Sequence, residues 1–202
     1  MPTDRLLPNK RIRRVLLAIQ EEMGRNGLYA TLKLAGLDRF INALPPDDAD
    51  AEVRASEYAA LIQAVETQFG SNARGQLNRI GHSTFKQIIA AEPMMWRWIA
   101  ISHVLLSPRR KLRRALKQLA KNMAEPDGQV AVYSDDQRLL LVDETSDGTV
   151  GRARNTEICW LTLGQIQECA SWAVGKPYDV AEVSCKAKGD PACKFEVGEA
   201  LG

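Results

Sequence analysis

The chain has 202 residues, 45% apolar and 26% charged, with a net charge of +2. This composition excludes a disordered chain and allows a buried core without covalent staples, in one domain or one domain plus a helical segment. The start lacks the apolar run of a secretion signal, and no uncharged run approaches the ~18 residues of a membrane span, so a cytoplasmic location without a membrane span is expected.

Residues 10–24 place Ile12, Val15, Leu16 and Ile19 at helical spacing, with Asn9 as the expected cap and Gly24 as the expected stop. A second helix is expected over 28–43, stopped by Pro45 and Pro46. A third is expected over 51–69, after the acidic turn 47–50 and closed by Gly70. Helices over 73–90 and 93–106 follow. The most regular pattern covers 108–124, where Leu112, Ala115, Leu116, Leu119, Ala120 and Met123 share one face.

After Pro126 the texture becomes β-like. Residues 129–133 and 138–143 read as a hairpin, 144–155 as a polar loop, and 162–174 as a helix ended by Gly175. Strands over 178–186 and 192–197 are joined by a turn containing Gly189 and Asp190. The expected class is therefore α+β: a helical N-terminal half, then β-β-α-β-β in a mainly antiparallel sheet. Residues 1–70 are expected to form a helical extension and 71–202 the main domain.

Four cysteines in a cytoplasmic chain point to metal ligands or free thiols rather than disulfides. Cys185 and Cys193 fall opposite each other if the last turn centres on Gly189, close enough for two thiolates to share one metal ion. They can equally be buried small side chains or a disulfide pair. Glu182 lies three residues before Cys185, a spacing that puts the two on opposite faces of a regular strand. A bulge is required for both to meet one ion.

The stretch Glu182-Val-Ser-Cys185-Lys-Ala-Lys-Gly189-Asp190-Pro-Ala-Cys193-Lys-Phe195-Glu-Val197 resembles the signature of the 4-vinyl reductase domain family. The same domain is the sensor module of phenol-responsive bacterial transcription activators, where three Cys and one Glu hold a structural zinc. Here Cys159, Glu182, Cys185 and Cys193 follow one another at intervals of 23, 3 and 8 residues, as in that family. The resemblance implies zinc as cofactor on those four residues and excludes Cys169. It also implies an α+β fold related to haem-based nitric-oxide sensors and TRAPP trafficking subunits, with an apolar ligand cavity between helices and sheet, and a homodimer. Gly164 resembles a position in the family's helix between the first Cys and the Glu.

Candidate ligand-binding residues are His82, Phe85, Trp98, His103, Tyr133 and Trp160. Arg79-Ile-Gly-His82 is similar to the family's helix leading to the cavity. The His and Trp that bind phenol in the sensors have no counterpart at matching spacing; Trp98 and His103 are the nearest types, too far upstream. The implied partner is an apolar or aromatic small molecule, with a tetrapyrrole among the candidates because stand-alone family members were named for reducing a vinyl group in bacteriochlorophyll synthesis. No phosphate loop, dinucleotide fingerprint, HExxH or nucleophile elbow is present, so a non-catalytic binder is the leading expectation, with an accessory of pigment synthesis and an interaction adaptor as alternatives. Basic runs at Lys10–Arg14 and Arg109–Lys121 read first as solvated helix faces. No DNA-binding module accompanies them, which argues against nucleic acid.

Overall fold

The computed structural model describes residues 4–102, 106–134 and 138–200. A short strand β1 (Leu6–Pro8) leads into helix α1 (Asn9–Leu34). Strand β2 (Ala51–Arg54) pairs antiparallel with β1 and passes directly into α2 (Ala55–Phe69). Helices α3 (Ala73–Ala91), α4 (Pro93–Ser102) and α5 (Pro108–Ala124) follow. The C-terminal part is β3 (Val130–Ser134), β4 (Leu139–Asp143), α6 (Trp160–Val174), β5 (Tyr178–Ser184) and β6 (Cys193–Ala200). The expected α+β class and its β-β-α-β-β order are both present. The four strands lie in the order β3-β4-β6-β5, every neighbouring pair antiparallel.

Three local expectations need correcting. Asn9 does not cap α1 with its side chain; the cap position is Pro8 and Asn9 lies in the first turn. The acidic turn does the capping instead: Asn9 and Lys10 donate their N–H groups to the carbonyls of Asp50 (2.8 Å) and Asp48 (3.0 Å). The second helix stops at Leu34 rather than 43, because Gly36 takes a left-handed φ of 69° and Leu37 N–H turns back to the Leu32 carbonyl. Gly24 does interrupt the helical path, with φ 71° and ψ 173°, but the chain resumes helix at once, so α1 is one kinked element. The third expected helix gives its first four residues to β2.

Two apolar clusters make up the core. One joins Leu7, Ile12, Leu16, Leu28 and Leu61 to Leu77, Ile80 and Leu161, so residues before 70 share their core with α3 and α6. The other packs Phe85, Trp96, Leu116, Leu119 and Ile166 against Leu141, Phe195 and Val197 of the sheet. Helices α3 and α6 run through both. They cross so closely that a Cβ on Gly81 would meet the Leu161 carbonyl oxygen at 2.2 Å, and one on Gly164 would meet the Asn78 carbonyl oxygen at 2.1 Å. Only glycine fits either position.

Candidate metal centre

Three parts of the C-terminal fold meet at one buried point. Cys159 sits immediately before α6, Glu182 lies in β5, and Cys185 and Cys193 flank the turn between β5 and β6. Their ligand atoms all lie within 4.8 Å of one another. The sulfur separations are 3.4 Å for Cys159–Cys193, 3.8 Å for Cys159–Cys185 and 4.0 Å for Cys193–Cys185. Three thiolates around a tetrahedral ion with bonds of about 2.3 Å stand about 3.8 Å apart, so the spacing fits. All three thiols are buried.

The required bulge is present. Glu182 pairs with Phe195 and Ser184 with Lys194, so β5 spends two residues where β6 spends one. That extra residue, Val183, is half-exposed. It lets Glu182 and Cys185 turn to the same side. Glu182 Oε2 accepts the Cys159 N–H at 2.9 Å, while Oε1 is buried with no hydrogen-bond partner. An unpaired carboxylate oxygen facing three thiols is a costly arrangement unless a cation completes it.

The protonation pattern fits a cation site. Burial and the Cys185 contact push the Glu182 carboxyl up to about 8. The contact with Cys159 lowers Cys193, but the Cys185 contact and burial outweigh it and leave Cys193 pushed up to about 12. Contacts with Cys185 and Cys193, then burial, hold Cys159 well above the usual thiol range, while contacts with its thiol neighbours bring Cys185 down. One negative charge is thus shared among four groups, and a divalent cation would allow all four to ionise.

A second buried group supports the centre and was not singled out in the sequence. Ser146, in a left-handed conformation (φ 44°), places its Oγ 3.0 Å from Cys193 Sγ. Asp143 Oδ1 accepts the N–H groups of Thr145 and Ser146, which fixes that turn. Next to it, Asp147 receives Arg5 through Nε and Nη2 (2.7 and 2.8 Å) and Arg11 through Nη1 (2.7 Å). Burial would raise the Asp147 pKa, but Arg11 and Arg5 outweigh it and hold it below the ordinary value. Asp147 lies in a stretch that reads as a polar loop; its only sequence signal is an acid beside several turn residues.

The six candidate ligand-binding residues do not converge. His82 pairs with Glu168 (2.7 Å) on the outer side of α3 and α6. Phe85 is fully buried in an edge-to-face cluster with Trp96 and Trp172. Trp98 and Tyr133 are 66% and 56% exposed. Trp160 lines an outer cleft of about 470 Å³ with Leu163, Val180 and Glu182. His103 lies outside the described residues. A cavity does lie between the helices, but other residues form it: Arg11, Arg14 and Val15 of α1, Thr84 and Ile88 of α3, Met123 of α5 and Gln165 of α6. Its volume is about 30 Å³, room for one or two waters. Arg14 Nε is buried there without a partner.

Residues 152–199, which carry all four candidate ligands, match the family model of the 4-vinyl reductase domain, so the chain carries that domain over this stretch. No curated protein matches the chain. Among solved structures, an H-NOX protein from S. oneidensis in the Fe(II)NO ligation state is 8% identical, with a TM-score of 0.62 over 97% of this chain and 100% of that one. A structure from work on heme distortion in the H-NOX family is 12% identical, with a TM-score of 0.62 over 97% of each chain. An oxygen-binding H-NOX domain related to soluble guanylate cyclases is 13% identical, with a TM-score of 0.58 over 91% of this chain and 89% of that one. At these identities the likeness is one of fold. It extends through most of residues 1–70.

Proposed function

We propose that this chain is a non-catalytic, small-molecule-binding domain, a sensor or carrier, whose C-terminal half is pinned by structural zinc. The observation that carries the reading is the set of four ligand atoms within 4.8 Å, contributed by Cys159, Glu182, Cys185 and Cys193. Cys and carboxylate donors in a tetrahedral arrangement suit zinc, and four protein ligands close the coordination shell. The metal therefore serves folding, tying the start of α6 to the β5–β6 hairpin.

The ligand enters the cavity between α1, α3, α5 and α6. Val15, Ile88 and Met123 offer an apolar wall, while Arg14 and Gln165 offer hydrogen-bond donors. The ligand is accordingly a small, mainly apolar molecule with one hydrogen-bond acceptor, and its entry moves side chains outward from a 30 Å³ space. A tetrapyrrole is the second reading, favoured by the heme named for fold neighbours. It ranks below a smaller ligand because of the volume.

Native mass spectrometry of protein purified without chelator tests both parts. One zinc per chain, a retained small molecule and a dimer are expected. A chain that carries no zinc overturns the structural role of the metal; absorption and mass shifts on adding a porphyrin would promote the second reading.

A further inference from the structure

From residue 93 to residue 124 the sequence contains eight Lys or Arg and no Asp or Glu. This stretch supplies α4 and α5, and neither is an ordinary surface helix. In α4, Trp96 and Ile99 face the core, yet Met94, Met95, Trp98 and Ile101 stand 71, 48, 66 and 54% exposed. These are four of the eight large exposed apolar side chains among the described residues. Met94, Trp98 and Ile101 follow at i, i+4 and i+7, so they form one stripe. Helix α5 buries Leu112, Leu116, Leu119 and Met123 in the same core and turns Arg110, Arg113, Arg114, Lys117 and Lys121 to solvent. Among the described residues none of these five has an ion-pair partner. Ser102 and Pro108 are six residues apart, so the helices end and begin within about 20 Å of each other.

We propose that α4 and α5 form a peripheral docking surface for an anionic lipid membrane. Trp98, Met94, Met95 and Ile101 enter the boundary between headgroups and acyl chains. The cations of α5, with Arg97 on α4, meet the lipid phosphates. The combination selects this partner. A nucleic acid would use the cations and leave the methionines and Ile101 in water. A second copy meeting the first through this surface would oppose two helices of the same charge. Trp beside cations and flexible apolar chains is the composition of a membrane-interface segment.

Co-flotation of the full chain with vesicles tests this. The protein is expected to float with phosphatidylcholine vesicles containing phosphatidylglycerol, to remain behind with phosphatidylcholine alone, and to release as salt rises. Trp98→Ser combined with Ile101→Ser, both at exposed positions, is expected to weaken binding roughly ten-fold. Arg110→Glu and Arg113→Glu are each expected to weaken it at least about five-fold, and more than Arg110→Gln and Arg113→Gln do. Circular dichroism and melting temperature report whether these variants stay folded. Absence of flotation with anionic vesicles overturns the proposal. So does a folded Trp98/Ile101 variant that binds like the parent, since charge adsorption alone would then account for the data. Charge reversal no more harmful than neutralisation overturns the role given to the α5 cations.

Discussion

At Cys193 several constraints meet. Its sulfur touches Ser146 Oγ, accepts the Lys186 N–H at 3.3 Å and lies 3.4 Å from Cys159 Sγ. Cys193→Ser should abolish metal retention and lower the melting temperature, as metal analysis and calorimetry would report. Cys169 is equally buried, but it packs inside α6 far from these contacts. Cys169→Ala should leave metal content unchanged and cost about 1 kcal/mol for the lost sulfur packing. Asp147→Asn removes one charge and leaves Arg5 and Arg11 facing a neutral amide, at a cost of about 3–5 kcal/mol at neutral pH. Because the folded-state pKa of Asp147 is depressed, its contribution is present above the ordinary carboxylate pKa of 3.8 and fades as pH falls through the lower folded value. Denaturant melts of parent and variant should therefore converge in acid; a constant difference from neutral pH into strong acid would contradict the pairing. The ligand set was legible residue by residue because its intervals are fixed in the chain. The Arg5–Arg11–Asp147 group was not, because its members lie more than 130 residues apart and no local pattern announces them.

Between elements, the governing contact is the α3–α6 crossing. Gly164→Ala must push the α6 backbone away from Asn78, since 2.1 Å is far below any tolerated Cβ contact. A loss of about 1–3 kcal/mol or more is expected, along with weaker metal retention, because Cys159 opens the displaced helix. Thermal melts and zinc analysis would show both. The elements themselves divide by how local their causes are. Helix α5 runs over the expected 108–124, since a proline start, an unbroken apolar stripe and the following Pro126 all act within the segment. The bulge in β5 was also readable, because Glu182 and Cys185 cannot share a face without it. Strands β1 and β2 escaped notice: three and four residues carry too little periodicity, and their pairing depends on residues nearly fifty positions apart. The interhelical cavity was hidden for the same reason. Arg14, Thr84 and Gln165 come from three helices, and only packing assembles them.

For the molecule as a whole, metal occupancy sets how stability responds to pH. In the metal-free state the raised Glu182 carboxyl makes folding less favourable as pH rises from about 4.5 toward 8. The lowered Cys185 thiol acts in the opposite sense below its ordinary value of 9.0, and the two offset each other. The chelated protein should therefore show a nearly flat stability between about pH 5 and 8. The metal-loaded protein holds its thiols deprotonated while the unfolded chain binds protons, so its stability should rise with pH over the same window. Melting temperatures with and without chelator across that range would test the difference in slope.

The glycine contact between α3 and α6 also determines how the interior can breathe. Two backbones already at closest approach cannot draw nearer, and their shared core resists parting, so this pair behaves as a fixed fulcrum. The cavity has α3 and α6 as two of its walls and α1 and α5 as the others. A guest larger than water must then be admitted by displacement of α1, already hinged at Gly24, or of α5. Ligand arrival would thus be written into the outer two helices, while the metal-bearing half keeps its shape.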